Sequence, residues 1–137
     1  MRLLFDTNVI LDVLLKRQPF GEVAVKLMAR VESGDVAGYI CGTTVTTIYY
    51  IVRKHLGVQS ANTCISSILT IFDVAQINRP VLLSALNVGF TDYEDAVIHE
   101  SARAISLDGI VTRNQVDFKK SQLPVYSPDE LISILEQ

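Results

Sequence analysis

The sequence has 137 residues, a length that suits one folded unit, so we predict a single domain over residues 1–137. Apolar residues make up 49% of the chain and charged residues 20%, which excludes an intrinsically disordered protein and permits a sizeable core. The net charge of −3 argues against a histone-like nucleic-acid binder but leaves room for an RNA enzyme with local basic groups. No apolar run approaches the roughly 18 residues of a transmembrane helix, so we expect a soluble, cytoplasmic protein without a membrane partner.

The first half of the chain predicts two strands and four helices. Strands are predicted at 3–5 and 37–41, and helices from residue 9 to just before Pro19 and over 22–32, 44–55 and 60–70. The helix at 44–55 competes with a strand, because its Thr-Thr-Val-Thr-Thr-Ile run is β-branched, but Gly57 supplies a helix C-cap.

The second half continues the alternation, with strands predicted at 71–77, 110–112 and 125–126 and helices over 79–88 and 91–105. A last helix has the clearest start signal, since Ser127 caps it, Pro128 fits its first turn and Glu130 completes a capping box. This alternation predicts a three-layer α/β/α, Rossmann-like fold with a central, mostly parallel five-stranded sheet.

Acidic side chains fall where such a sheet binds ligands, beyond the carboxyl ends of its strands. Asp6 directly follows the first strand, and Asp117 follows the fourth. Asp92 and Asp95 share the first turn of a predicted helix, about 5–6 Å apart. Each acid also has a structural interpretation as a helix cap or first-turn residue. Acids gathered at one edge repel one another unless a cation neutralises them, and their oxygens suit Mg²⁺ or Mn²⁺.

Three short motifs resemble, in order and spacing, those of the PIN domain family. These are metal-dependent ribonuclease domains that include the VapC-type toxins of bacterial toxin–antitoxin pairs. The motifs are Leu-Leu-Phe-Asp6-Thr7-Asn8, Asp92-Tyr93-Glu94-Asp95-Ala96, and Val111-Thr112-Arg113-Asn114 with Asp117-Phe118. The resemblance implies that Asp6, Asp95 and Asp117 hold the metal and act in catalysis. It further implies supporting polar roles for Thr112, Asn114 and Asn8.

One position departs from the family pattern. The family usually places a glutamate early in the helix after the second strand, and aligning Tyr49-Tyr50 with the aromatic pair there puts Thr47 at that position. A threonine hydroxyl is a neutral and weaker metal ligand, so reduced metal affinity or activity is expected. Asp92 is a candidate to replace the missing acid as a metal ligand.

The resemblance implies hydrolysis of RNA phosphodiesters. The acids favour a metal-activated water for such a reaction, because no Ser–His or Cys–His pair is evident for nucleophilic catalysis. Arg113 is the first candidate to bind RNA phosphate, since it lies inside a motif. Three basic pairs are secondary candidates: Lys16 with Arg17, Arg53 with Lys54, and Lys119 with Lys120. We expect His55 and His99 to be surface or packing residues, and Cys41 and Cys64 to be free thiols.

We consider three alternatives, of which the last, a phosphatase, is discarded. A catalytically degenerate PIN domain would bind RNA or protein without cutting, and the missing glutamate motivates it. A response-regulator receiver expects adjacent acids after the first strand, where Asp6 stands alone. A phosphatase of the haloacid dehalogenase type needs a second Asp two residues on, and Asn8 occupies that position. If the toxin interpretation holds, the resemblance implies a homodimer and a small antitoxin as partners.

Overall fold

Five strands and seven α-helices alternate along the chain, which the computed structural model describes over residues 1–137. In chain order they are β1 (Arg2–Phe5), α1 (Thr7–Leu14), α2 (Gly21–Glu32), β2 (Ala37–Cys41), α3 (Gly42–Leu56), α4 (Val58–Ile71), β3 (Asp73–Ala75), α5 (Arg79–Ala85), α6 (Tyr93–Ala104), β4 (Gly109–Val111), β5 (Val125–Tyr126) and α7 (Pro128–Leu135). A short 3₁₀ helix at Gln115–Phe118, called here the 3₁₀ turn, lies between β4 and β5.

The strands form one sheet in the order β3-β2-β1-β4-β5, and every neighbouring pair is parallel. The first strand in sequence is therefore the central strand of the sheet. Strand β2 lies on one side of β1 and β4 lies on the other. This arrangement places the ends of β1 and β4 side by side at the point where the strand order reverses, which is the usual ligand position in such sheets.

Alternation along the strands builds two apolar layers, one on each face of the sheet. Leu3 and Phe5 of β1 belong to the larger core cluster, whose helical members come from α1, α2, α3, α4 and α7. Leu4 points to the other face, where it joins a cluster formed with α5 and α6. Because successive strand residues face opposite sides, both faces of β1 are covered and its three apolar residues are at most 1% exposed. The predicted three-layer α/β/α fold is confirmed.

The segment 44–55, for which both a helix and a strand were considered, is helical. Helix α3 runs over Gly42–Leu56, and Gly57 ends it with a φ of 92°, as its C-cap role predicts. Ile48 and Val52 are fully buried on one face of this helix, four residues apart. Packing of that face therefore outweighs the β propensity of the threonines.

Several boundaries differ from those that the sequence predicts. Strand β3 covers only three residues, and α5 ends at Ala85 rather than at residue 88. The 3₁₀ turn was not predicted, because four residues are too few to show a periodic pattern. The capping box at Ser127 and Glu130 is present, with both of its hydrogen bonds.

Both cysteines are free thiols, as expected, with Cys41 buried. His99 is fully buried and packs against Phe90, in agreement with a packing role. None of the helices combines the length and apolar character that crossing a membrane requires.

Candidate metal site and catalytic cleft

Asp6 lies at the carboxyl end of β1, where neighbouring polar groups hold it in place. Its backbone N–H donates to the carbonyl of Val111 at 2.9 Å, which ties the end of β1 to β4. The side chain is only 6% exposed. Oδ1 accepts a hydrogen bond from the backbone N–H of Thr7 at 2.8 Å, and Oδ2 accepts one from the hydroxyl of Thr112 at 2.8 Å. The carboxylate therefore caps α1 and has a fixed orientation.

Two asparagines complete the polar shell around Asp6. The amide nitrogen of Asn8 donates to Asp6 Oδ2 at 3.3 Å, and its oxygen accepts from the backbone N–H of Arg113 at 3.4 Å. Asn114 contributes its backbone, whose N–H donates to the Thr112 hydroxyl at 3.0 Å. The segment after β4 is thus joined by hydrogen bonds to the segment after β1.

Asp92 and Asp95 begin α6 as the sequence predicts. Asp92 is the N-cap, and its Oδ1 accepts a hydrogen bond from the backbone N–H of Asp95 at 3.1 Å. Asp95 lies in the first turn, where the partial positive charge of the helix N-terminus favours a carboxylate. The hydrogen bond that caps the helix uses one carboxylate oxygen of Asp92. The carboxylate of Asp95 takes part in no hydrogen bond.

A cleft of about 400 Å³ brings three of the predicted acids together. Asp92 and Asp95 line the cleft from the start of α6, and Asp117 lines it from the 3₁₀ turn. Buried Phe118 fixes this turn by packing edge-on against Phe90 at 5.7 Å between ring centroids. Asp6 is not among the residues that line the cleft, because Thr7, Asn8 and Thr112 surround it.

The carboxylates nevertheless influence one another through their charges. Burial raises the pKa of Asp95 to about 7, and the negative charges of Asp6, Asp92 and Asp117 add to the increase. Burial also raises the pKa of Asp6, an effect that hydrogen bonds from Thr112 and Thr7 oppose. No ion pair neutralises any of these four acids. The site therefore carries an excess of negative charge, which a cation would offset.

The donor set fits a hard divalent cation that keeps part of its water shell. No three His, Cys, Asp or Glu side chains lie close enough together to enclose an ion directly. Asp6, Asp95 and Asp117 were expected to meet around one ion, but their side chains do not form a closed set of direct ligands. Mg²⁺ is commonly held by only one or two carboxylates with waters filling its other positions, so an open cluster of this type suits it better than a closed one.

Thr47 lies in α3, where it is half-buried and one turn beyond Thr44. The hydroxyl of Thr44 shares a 3.0 Å hydrogen bond with that of Thr7, next to Asp6. The hydroxyl of Thr47 has no hydrogen bond to any of the four acids, and a threonine carries no charge.

Arg113 requires a correction, because it is not a free cation at the rim of the cleft. Its Nε donates to Oδ2 of Asp12 at 2.6 Å and its Nη2 to Oδ1 at 3.1 Å, and the guanidinium stacks over Phe20 at 3.9 Å. Asp12 is fully buried and needs this partner. The prediction that Arg113 binds RNA did not take account of Asp12, which lies 101 positions earlier in the sequence.

Sequence reasoning also missed Thr44 and gave Lys119 and Lys120 only a secondary place. Thr44 has no motif to mark it, but the helical phase that makes Ile48 buried also turns Thr44 inward, four residues before it. The two lysines line the same cleft as the acids, although they had been ranked behind Arg113. Their position directly after the Asp117-Phe118 motif could have indicated from the sequence that they lie near the acids.

Comparison with known families gives one match that covers most of the chain. The family model described as PIN domain matches residues 2–116. A search of curated proteins found no sequence match.

Solved structures match over nearly the whole chain at low sequence identity. The VapBC2 complex from Rickettsia felis has a TM-score of 0.73 and 15% identity, covering 93% of this chain and 98% of that one. A toxin–antitoxin complex from Klebsiella pneumoniae has a TM-score of 0.69 and 23% identity, covering 92% and 97%. VapC20 from Mycobacterium tuberculosis, described as a sarcin–ricin loop cleaving toxin, has a TM-score of 0.64 and 11% identity, covering 79% and 86%. At these identities the likeness shows a shared fold.

Proposed function

The chain belongs to the PIN domain family, and from this premise we propose that it is a metal-dependent endoribonuclease that uses Mg²⁺ or Mn²⁺. The observation that carries the proposal is the group of four acids at the carboxyl edge of the sheet. Burial, together with the charges of the other acids, raises the pKa of Asp95 to about 7, and none of the four has a basic partner. Such a surplus of negative charge is destabilising by itself, so a bound cation is the simplest reason for its presence.

Each residue would contribute to the reaction by holding charge in a fixed place. Asp6, kept rigid by Thr112 and Asn8, would provide an oriented carboxylate at the back of the site. Asp95 and Asp117 would hold the ion from the two different elements that line the cleft, with Asp92 tuning the charge nearby. A divalent ion bound there supplies an activated water and offsets the charge that develops on the phosphate.

The test is cleavage of varied RNAs by purified protein with Mg²⁺, with Mn²⁺ and with a chelator. We expect metal-dependent cleavage, and we expect Asp95→Asn and Asp6→Asn to reduce it by about a hundredfold or more, because each removes charge from the site. Asp35→Asn is the matched control, since Asp35 is an exposed acid paired with Arg30 on the surface. Cleavage that persists with the chelator, or that Asp95→Asn leaves intact, would contradict the proposal.

The alternative is a degenerate PIN domain that binds RNA or protein without cutting. The specific observation in its favour is Thr47, which replaces a charged ligand with a neutral one. Metal binding by the native protein without cleavage of any RNA tested would favour this alternative.

The solved toxin–antitoxin complexes with this fold support a further part of the proposal, that the chain is the toxin of such a pair. A homodimer and a small antitoxin would then be its partners. Expression of the native chain in bacteria should arrest growth, and expression of Asp95→Asn should not. Equal growth with both forms would argue against the toxin role.

A further inference from the structure

Two unpaired lysines share the cleft with the acids. Lys119 and Lys120, called here the lysine pair, follow the 3₁₀ turn on the wall that carries Asp117. Both side chains are exposed. Neither belongs to any ion pair of the structure, although three carboxylates line the same cleft. Their charges therefore remain available to an anion.

The backbone of the lysine pair is anchored on both sides. Before it, Phe118 is buried, and its carbonyl accepts a hydrogen bond from the N–H of Ser121 at 2.9 Å. After it, the N–H of Gln122 donates to Nε2 of the buried His99 at 3.1 Å. A side chain presented from a fixed backbone loses less conformational freedom when it binds a ligand.

His99 can accept this hydrogen bond because it is neutral. Burial lowers its pKa, and with Nε2 acting as an acceptor the ring proton is on Nδ1, which donates to Oε2 of Glu100 at 2.7 Å. Glu100 in turn accepts hydrogen bonds from Ser84 and Arg103. A connected polar network inside the protein thus holds the segment that carries the lysine pair.

The charge of the whole molecule makes a local cationic group necessary for RNA binding. The chain has a net charge of −3, and the acids of the site repel phosphate. Arg113 offers no help, since Asp12 and Phe20 occupy its guanidinium. With the acids and the lysines in one cleft, a phosphate near the lysine pair would have its neighbour in the strand close to the acids.

We propose that Lys119 and Lys120 bind backbone phosphates of a single RNA strand next to the bond that is cut. This inference rests on the proposed ribonuclease function and names the groups that seat its substrate. A cleft of about 400 Å³ has the size of a small-ligand site, which a few nucleotides of a single strand can enter.

The binding test compares two double variants that lose equal charge. One is Lys119→Gln with Lys120→Gln. The other is Lys26→Gln with Arg79→Gln, two exposed basic residues that do not line the cleft. Both are made in the Asp95→Asn background and titrated against a labelled single-stranded RNA at several salt concentrations. Thermal unfolding checks that each variant is folded.

We expect the first double variant to bind about tenfold more weakly and to lower the salt slope of log K by about 1.4, since each phosphate contact in a single strand contributes roughly 0.7. The control should keep the slope of the Asp95→Asn parent. Lys119→Arg with Lys120→Arg should retain binding, because the charge is preserved. Equal affinity and equal slopes for the two Gln double variants would overturn the inference.

The cleavage test separates this inference from the proposed function. In the chain with Asp95 intact, loss of the lysine pair should raise KM and change kcat little. If the native protein cuts RNA but both Gln double variants share its KM, the ribonuclease proposal stands and the lysine proposal fails. If the native protein cuts nothing, a binding loss confined to the lysine-pair variant would still support the lysine proposal.

Discussion

Arg113 holds the buried carboxylate of Asp12 in a two-point ion pair, with Nε 2.6 Å from Oδ2 and Nη2 3.1 Å from Oδ1. The pair joins the segment after β4 to α1. Because the N–H of Arg113 also donates to Asn8, the ion pair stabilises the same junction that holds Asp6.

Loss of this ion pair should destabilise the fold. Arg113→Gln leaves the carboxylate of Asp12, which is 1% exposed, without its partner, and the remaining contact to Arg17 is 4.0 Å long. We expect a loss of about 3 kcal/mol in the free energy of unfolding, measured by urea denaturation. Arg30→Gln removes an exposed ion pair and should cost less than about 1 kcal/mol. Equal losses in the two variants would contradict the structural importance of Asp12.

The hydroxyl of Thr112 should be worth more than that of a surface threonine. Thr112→Val keeps the shape but removes the donor to Asp6 and the acceptor for the N–H of Asn114. We expect a loss of about 1–3 kcal/mol in unfolding free energy, together with weaker metal binding. Thr70→Val is the control, since Thr70 is exposed and bonds only to a carbonyl of its own helix. If the control loses as much stability, the contact to Asp6 is not the cause.

Asp95 should make stability fall as pH rises towards neutrality. Its pKa in the folded state is about 7, above the value of 3.8 for an unperturbed carboxyl, so the folded state binds more protons between these values. The contribution of Asp95 to stability therefore decreases from about pH 4 to pH 7 and is most unfavourable above that range. We expect the melting temperature of Asp95→Asn to exceed that of the native protein at pH 8, with the difference vanishing near pH 4. A difference that is independent of pH would exclude this origin.

Restoring an acid at position 47 should strengthen metal binding. Thr47→Glu adds a carboxylate in α3 one turn beyond Thr44, the residue that is hydrogen-bonded to Thr7, and affinity for hard cations grows with the charge of the ligands. We expect Mg²⁺ and Mn²⁺ to bind about tenfold more tightly, as measured by titration calorimetry. Thr46→Glu adds the same charge at the neighbouring, exposed position and should have little effect. Unchanged affinity of Thr47→Glu would mean that this side chain does not reach the site.

The layered fold could be predicted because its main signals are local. Each of these signals involves residues only a few positions apart, as in the apolar run at 3–5, the C-cap at Gly57 and the capping box at Ser127. Helix α3 was the ambiguous case, and burial of Ile48 and Val52 decides it. Strand β3 was predicted too long, because an apolar stretch does not reveal which of its residues actually pair with β2.

The polar contacts of the site are mostly long-range, which is why sequence reasoning predicted only part of them. The position of Asp6 after a strand and of Asp95 in a first turn follows from local pattern. The partner of Arg113 does not, since Asp12 is an ordinary helix residue until the fold brings it to the loop after β4. Reasoning from motifs therefore favoured Arg113 over Lys119, although the lysine is the side chain that reaches the cleft.

The hydrogen bond between Thr112 and Asp6 joins residues 106 positions apart, and β1 is the central strand although it is made first. A nascent chain that has emerged only as far as α6 lacks β4, the neighbour that fixes the end of β1. Contacts of such sequence separation form late, because a long loop must close before they can be made. The acidic site is thus completed only when nearly all of the polypeptide is available, so a ribosome that is still translating this protein carries an unfinished site at its exit.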